Sequence, residues 1–129
     1  MKEKKKINKM KIILPGNPLS TNSIYKFACS PFPRHYMNKA GKERKEEYIW
    51  EAYQQKKSPT LTCKLSLVVY LFFGDRRVRD WDNFHKLSMD ALTEAKVWED
   101  DSQIEEVYVK KGYDKGDPRI EILISEYNI

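Results

Sequence analysis

The stretch Leu67-Val68-Val69-Tyr70-Leu71-Phe72-Phe73 leaves this chain little choice of architecture. It is rich in β-branched and aromatic residues, which suit a pleated backbone. Its near-continuous apolarity asks for cover on both faces, and so for a central place in a sheet. The strand reaches back to Leu61 and stops at Gly74, where Asp75-Arg76-Arg77-Val78-Arg79 turns polar and cationic. No apolar run approaches the roughly 18 residues that span a bilayer. The remaining segments therefore have to build a sheet around this strand and cover it.

In chain order, the lysine-rich residues 1–9 are expected to form a flexible basic arm. No apolar segment follows them, so they do not resemble a secretory signal. Met10 to Leu14 is a short strand, closed by Pro15-Gly16-Asn17-Pro18. Leu19 to Pro33 reads as a long loop, a length that marks function or mobility in a small domain. Asn38 to Lys57 reads as a helix with Tyr48, Ile49, Ala52 and Tyr53 as its apolar stripe, ended by Ser58-Pro59. Asp82 to about Lys96 reads as a second helix, with Phe84, Leu87, Ala91, Leu92 and Ala95 on one face. On it, Asp82, Lys86 and Asp90 share another face at four-residue spacing. Ile104 to Lys111 and Arg119 to Ser125 alternate as strands, with Ile104, Val107, Val109, Ile120, Ile122 and Ile124 inward. The turn-rich Gly112–Pro118 between them predicts a hairpin. The order implies one domain over residues 1–129. It is α+β, a small mixed sheet of about four strands with two main helices packed on it.

Charge is distributed unevenly. Residues 1–45 carry 12 Lys or Arg against 2 acids, while residues 46–129 carry 12 against 17. A basic half beside an acidic half suits a protein that grips a polyanion and concentrates carboxylates elsewhere, and nucleic acid is the expected polyanion. Lys26, Arg34, Lys39, Lys42, Arg76, Arg77 and Arg79 are the residues expected to meet phosphates. Tyr25, Phe27, Phe32 and Tyr36 interleave with the first of these cations. Such rings can stack on exposed bases, or they can pin the loop to the core, which is the reading favoured for them. Cys29 and Cys63 have neither a scaffold's number nor a zinc ligand's spacing, and are expected as free thiols in a reducing, cytoplasmic setting.

Where the central strand gives way to the second helix, Asp80 and Asp82 lie two residues apart, and Glu99-Asp100-Asp101 follows before the next strand. Several carboxylates converging from neighbouring segments suit a hard divalent cation, with water and a substrate phosphate filling the remaining positions. The set lacks imidazole and thiolate, so Mg²⁺ fits, with Mn²⁺ as a substitute. Asp80, Asp82 and Asp101 are the expected ligands. Lys86 is expected to offset charge at a scissile phosphate. The same residues also permit a helix cap and an i, i+4 ion-pair ladder on a solvated face.

Arg79-Asp80-Trp81-Asp82-Asn83, Lys86, Asp90-Ala91-Leu92, Trp98 and Asp100-Asp101-Ser102-Gln103 resemble the signature of the RusA family of Holliday junction resolvases. Leu14-Pro15, Pro18, Ser20 and Asn22 resemble its N-terminal segment less faithfully, because Gly16-Asn17, Leu19 and Thr21 interrupt the pattern. The resemblance implies a homodimeric, Mg²⁺-dependent endonuclease that nicks opposed strands of a DNA four-way junction in recombination and repair. It places the family's catalytic aspartates on Asp80, Asp82 and Asp101 and its lysine on Lys86, with Asp100 as the alternative third carboxylate. A DNA-binding recombination accessory without catalysis, or a metal-dependent nuclease of other specificity, would carry much of the same pattern.

Overall fold

A computed structural model of the protein describes residues 9–128. Apart from Lys9, the expected basic arm lies outside the described residues. Among those residues no helix is long and apolar enough to cross a membrane, and Cys29 and Cys63 are free.

The apolar run forms the nine-residue strand β4 (Leu65–Phe73). It starts later than Leu61, which instead makes an isolated bridge to Trp98. Its side chains alternate strictly. Leu65, Leu67, Val69, Leu71 and Phe73 are buried on one face, and Ser66, Val68, Tyr70 and Phe72 are partly buried on the other. The remaining sheet strands are β1 (Met10–Pro15), β5 (Ile104–Tyr113) and β6 (Arg119–Glu126), in the spatial order β1-β6-β4-β5. β6 runs antiparallel to both β1 and β4, while β5 runs parallel to β4. The sheet is therefore mixed, as expected.

The predicted C-terminal hairpin does not form, because β5 and β6 flank β4 on opposite sides. The turn between them crosses the end of β4, where the Asp114 amide donates to the Phe73 carbonyl at 2.9 Å. Side-chain character explains the placement. Ile120, Ile122 and Ile124 are almost fully buried, in keeping with the inner position of β6 between β1 and β4. β5 carries Glu105, Glu106, Lys110 and Lys111, a composition that suits an edge strand. At that edge Val107 is 45% exposed, contrary to its expected inward role.

Helices α2 (Lys39–Gln55) and α3 (Lys86–Glu94) cover the face that buries Leu65 to Phe73. α2 contributes Tyr48 and Ala52 to the core, but Tyr53 is exposed, so the expected stripe is narrower. α3 contributes Leu87, Ala91 and Leu92. It begins four residues later than predicted, because Trp81–Phe84 winds as a 3₁₀ turn that buries Phe84 edge-on against Phe73, with ring centroids 5.0 Å apart. Asp82 therefore sits on that turn and not on the helix with Lys86 and Asp90.

The expected long loop contains structure of its own. α1 (Thr21–Ile24) is one turn capped by Ser20. It leads into a separate two-stranded sheet of β2 (Tyr25–Ala28) and β3 (Arg34–Met37).

Candidate active site

The loop after β4 is held by its own charges. Arg79 grips Asp75 with both guanidinium nitrogens, at 2.7 and 3.0 Å, and the Arg77 amide donates to the same carboxylate. This fork-to-fork contact is charge-assisted and directional, and it holds the Asp75 carboxyl down at about 2. Arg79 also packs over Phe73 at 4.4 Å. From β5, the Lys111 ammonium donates to the Arg79 carbonyl at 2.7 Å. The backbone that delivers Asp80 is thus tied to the sheet at both ends of the loop. Val78, between these arginines, stands 98% exposed.

Asp101 is placed by a different device. Asp100 and Gln103 form a capping box around the 3₁₀ turn Asp101–Gln103. The Gln103 side-chain oxygen accepts from the Glu99 and Asp100 amides, each at 2.8 Å. Its nitrogen donates to the Leu61 and Cys63 carbonyls, each at 2.9 Å. One side chain thereby joins the acidic turn to the segment that enters β4. Asp100 is occupied within the turn, accepting from both the amide and the hydroxyl of Ser102.

Lys86, at the start of α3, donates to Asp90 at 3.2 Å, and its ammonium lies 5.4 Å from the Tyr25 ring centroid. The Asp90 hydrogen bond is the main cause of a raised Lys86 pKa, and the field of Asp101 adds to it. Asp101 and Asp90 line one shallow cavity with Lys45, which pairs with Glu94 at 2.8 Å. Asp80 lines another with Val78, Arg79, Asn83, Pro18 and Ser20.

A sharp division runs through the aspartates. Asp75, Asp90, Asp100, Asp114 and Asp117 each have a hydrogen-bond or ion-pair partner. Asp80, Asp82 and Asp101 are exposed, and their side chains have none among the described residues. Three uncommitted carboxylates match a hard cation in donor chemistry. They are not drawn together: among the described residues, no three Asp, Glu, His or Cys side chains are grouped closely enough to hold a metal ion.

The expected phosphate contacts separate in a similar way. Lys26, Lys42 and Arg77 are exposed and have no acidic partner among the described residues. Lys39 is only loosely matched to Glu43, at 3.9 Å. Arg34 lies between two rings, and Arg76 packs over Tyr113 at 4.1 Å. Arg79 is spent on Asp75 and Phe73. Sequence reasoning missed Gln103, Lys111, Lys45 and Tyr25 as shapers of the site. Only Gln103 had a local signal, the Asp-x-x-Gln spacing of a capping box.

Residues 15–125 match the family described as Endodeoxyribonuclease RusA. The crossover junction endodeoxyribonuclease of Enterobacteria phage 82 is 46% identical over 66 residues, covering 51% of this chain and 55% of the relative. That of Aquifex aeolicus (strain VF5) is 33% identical over 79 residues, covering 61% and 63%. That of Escherichia coli (strain K12) is 44% identical over 66 residues, covering 51% and 55%. The chain thus spans between half and two thirds of the length of these relatives.

Proposed function

The chain belongs to the RusA family of endodeoxyribonucleases, and on that premise we propose that it is a Mg²⁺-dependent enzyme that resolves Holliday junctions by paired nicks during DNA recombination and repair. The observation that carries this is the division among the aspartates: Asp80, Asp82 and Asp101 stand uncommitted, with Asp101 acting on Lys86, while the other aspartates are paired. Uncommitted carboxylates repel one another unless a cation lies among them. Asp80, Asp82 and Asp101 would hold Mg²⁺, or Mn²⁺ in its place. The chemistry such a cation supplies when bound is Lewis-acid activation of water and of the phosphodiester.

The protein's own residues do the rest. Lys86 is protonated and aimed by Asp90, so it acts as a fixed positive charge beside a non-bridging or leaving oxygen. Gln103 sets Asp101, and Lys111 sets the backbone of Asp80. Lys26, Arg34, Lys39, Lys42, Arg76 and Arg77 supply the sequence-independent grip on phosphates, which positions DNA without reading it.

The active form is a homodimer acting in the cytoplasm. Two-fold symmetry sets one site against each of two symmetry-related strands. The sheet face opposite the helices supports a second copy. It presents Val68, Tyr70, Phe72 and Leu123, partly exposed, beside Tyr108.

The test is incubation with a synthetic four-way junction, and with linear duplex of the same arm sequence, in Mg²⁺ or in EDTA. Symmetric paired nicks on the junction in Mg²⁺ alone are expected. Equal cutting of the duplex would remove the junction specificity, and cutting in EDTA would remove the metal.

A further inference from the structure

The β2–β3 hairpin leaves Phe27, Phe32 and Tyr36 exposed by 56%, 60% and 44%. These three rings therefore do not pin this segment to the core, the structural role expected of them, whereas Tyr25 does pack against it. Their arrangement is ordered all the same. The register pairs Lys26 with Tyr36 and Ala28 with Arg34, which sets Lys26, Arg34 and Tyr36 on one face of the hairpin. On that face the Arg34 guanidinium lies 5.7 Å from the centroids of both Phe32 and Tyr36, and it donates to the Ser30 carbonyl. Phe27 and His35 pair across the other face at 5.1 Å.

The base of the hairpin is anchored. The Asn38 amide donates to the Ile24 carbonyl at 2.8 Å. The Asn38 side chain donates to Ser23 and accepts from Gly41, each at 2.9 Å. Gly41 lies so close that a Cβ there would meet Met37 Cγ at 2.6 Å and Ile24 Cβ at 2.9 Å. At that base Tyr25 faces Lys86. Four residues per strand, at about 3.3 Å each, give the hairpin a reach of about 13 Å beyond this base, roughly three to four nucleotide steps along one strand.

We propose that this hairpin is a base-stacking arm, laying Phe32 and Tyr36 on unpaired bases where the DNA strands part beside the site, with Lys26 and Arg34 on the flanking phosphates. This rests on the reading of the chain as a DNA-cutting enzyme. Tyr25 to Met37 contains no Asp or Glu, so its charge complements a polyanion along its whole length. Alternation of rings with cations is the pattern that holds single strands: every base offers a π-face and every linkage a phosphate. Tyr36 lies on an exposed strand and Phe32 in the exposed turn beside it, so stacking here tolerates any base. It distinguishes unpaired bases from a closed duplex.

The test compares wild type with the double variant Phe32→Ala, Tyr36→Ala, and with the conservative pair Phe32→Tyr, Tyr36→Phe. The probes are a single-stranded oligonucleotide and a four-way junction, each carrying 2-aminopurine, and a linear duplex. The alanine variant should bind the single strand and the junction about tenfold more weakly, lose the 2-aminopurine quenching, and bind the duplex as wild type does. The conservative pair should restore quenching. Unchanged single-strand affinity and quenching would overturn the proposal and assign the rings to a protein contact. An equal loss on duplex would overturn it too, by reducing the arm to a phosphate grip. If wild type leaves the junction uncut but the alanine variant still loses single-strand quenching, the resolvase reading fails and the arm stands. If wild type cuts the junction and the variant stacks as before, the reading stands and the arm fails.

Discussion

Lys86 shows how one contact sets a residue's chemistry. Its hydrogen bond to Asp90 raises its pKa above the ordinary value of 10.5. A raised pKa favours the charged form of the folded protein. The associated stability is fully present below the unfolded value and is lost only as pH rises through the folded one. Lys86 is therefore cationic throughout neutral pH, and a rate profile between pH 6 and 9 should show no limb from it. Lys86→Ala should lower nicking about a hundredfold or more at every pH in that range while junction affinity changes far less. A pH-dependent defect would instead make Lys86 a proton carrier. Gln103→Ala should cost about 1–3 kcal/mol in a urea titration, since it strands several partly buried backbone groups. It should also slow nicking, by releasing Asp101. The two aspartates ahead of Lys86 and the acidic turn after it were legible from spacing alone. The bonds from Gln103 to Leu61 and from Lys111 to Arg79 were not, because they join residues 42 and 32 positions apart.

At the scale of elements, β4, β1 and α2 were legible because each carries its own period and its own stop signal. The two misreadings share a cause. Turn chemistry between β5 and β6 reports that the chain reverses, not which strand comes to lie between them. The 3₁₀ turn Trp81–Phe84 follows from burying Phe84 on Phe73, a tertiary demand that overrode helical spacing. The β2–β3 hairpin was hidden by strands of only four residues and by prolines at 31 and 33. Its attachment to α2 depends on Gly41. Gly41→Val should lower stability by about 1–3 kcal/mol through overpacking against Met37 and Ile24. Faster amide exchange over 25–37 than over β4 should accompany the loss. An unshifted urea midpoint would show that the hairpin rests elsewhere.

For the whole molecule, charge and surface make separate demands. The basic N-terminal half should make junction binding steeply salt-dependent, weakening about a hundredfold or more between 50 and 200 mM salt. A flat dependence would deny the cations their role. The open sheet face should be buried between two copies, so sedimentation should report a dimer. Val68→Glu, at the centre of that face, should give a folded monomer that no longer makes paired nicks; a persistent dimer would place the interface elsewhere. The open face was not legible from residue patterns, because a near-continuous apolar run asks for cover on both faces without saying which one the helices take.

The central claim is that Asp80, Asp82 and Asp101 are uncommitted because they serve a cation and a phosphodiester. Its most direct test is Asp82→Asn, which keeps the side chain's shape and removes its charge. Nicking and binding of one four-way junction should be followed side by side in Mg²⁺. The account predicts that nicking disappears while the junction is bound as tightly as by wild type. Undiminished nicking by Asp82→Asn would contradict it.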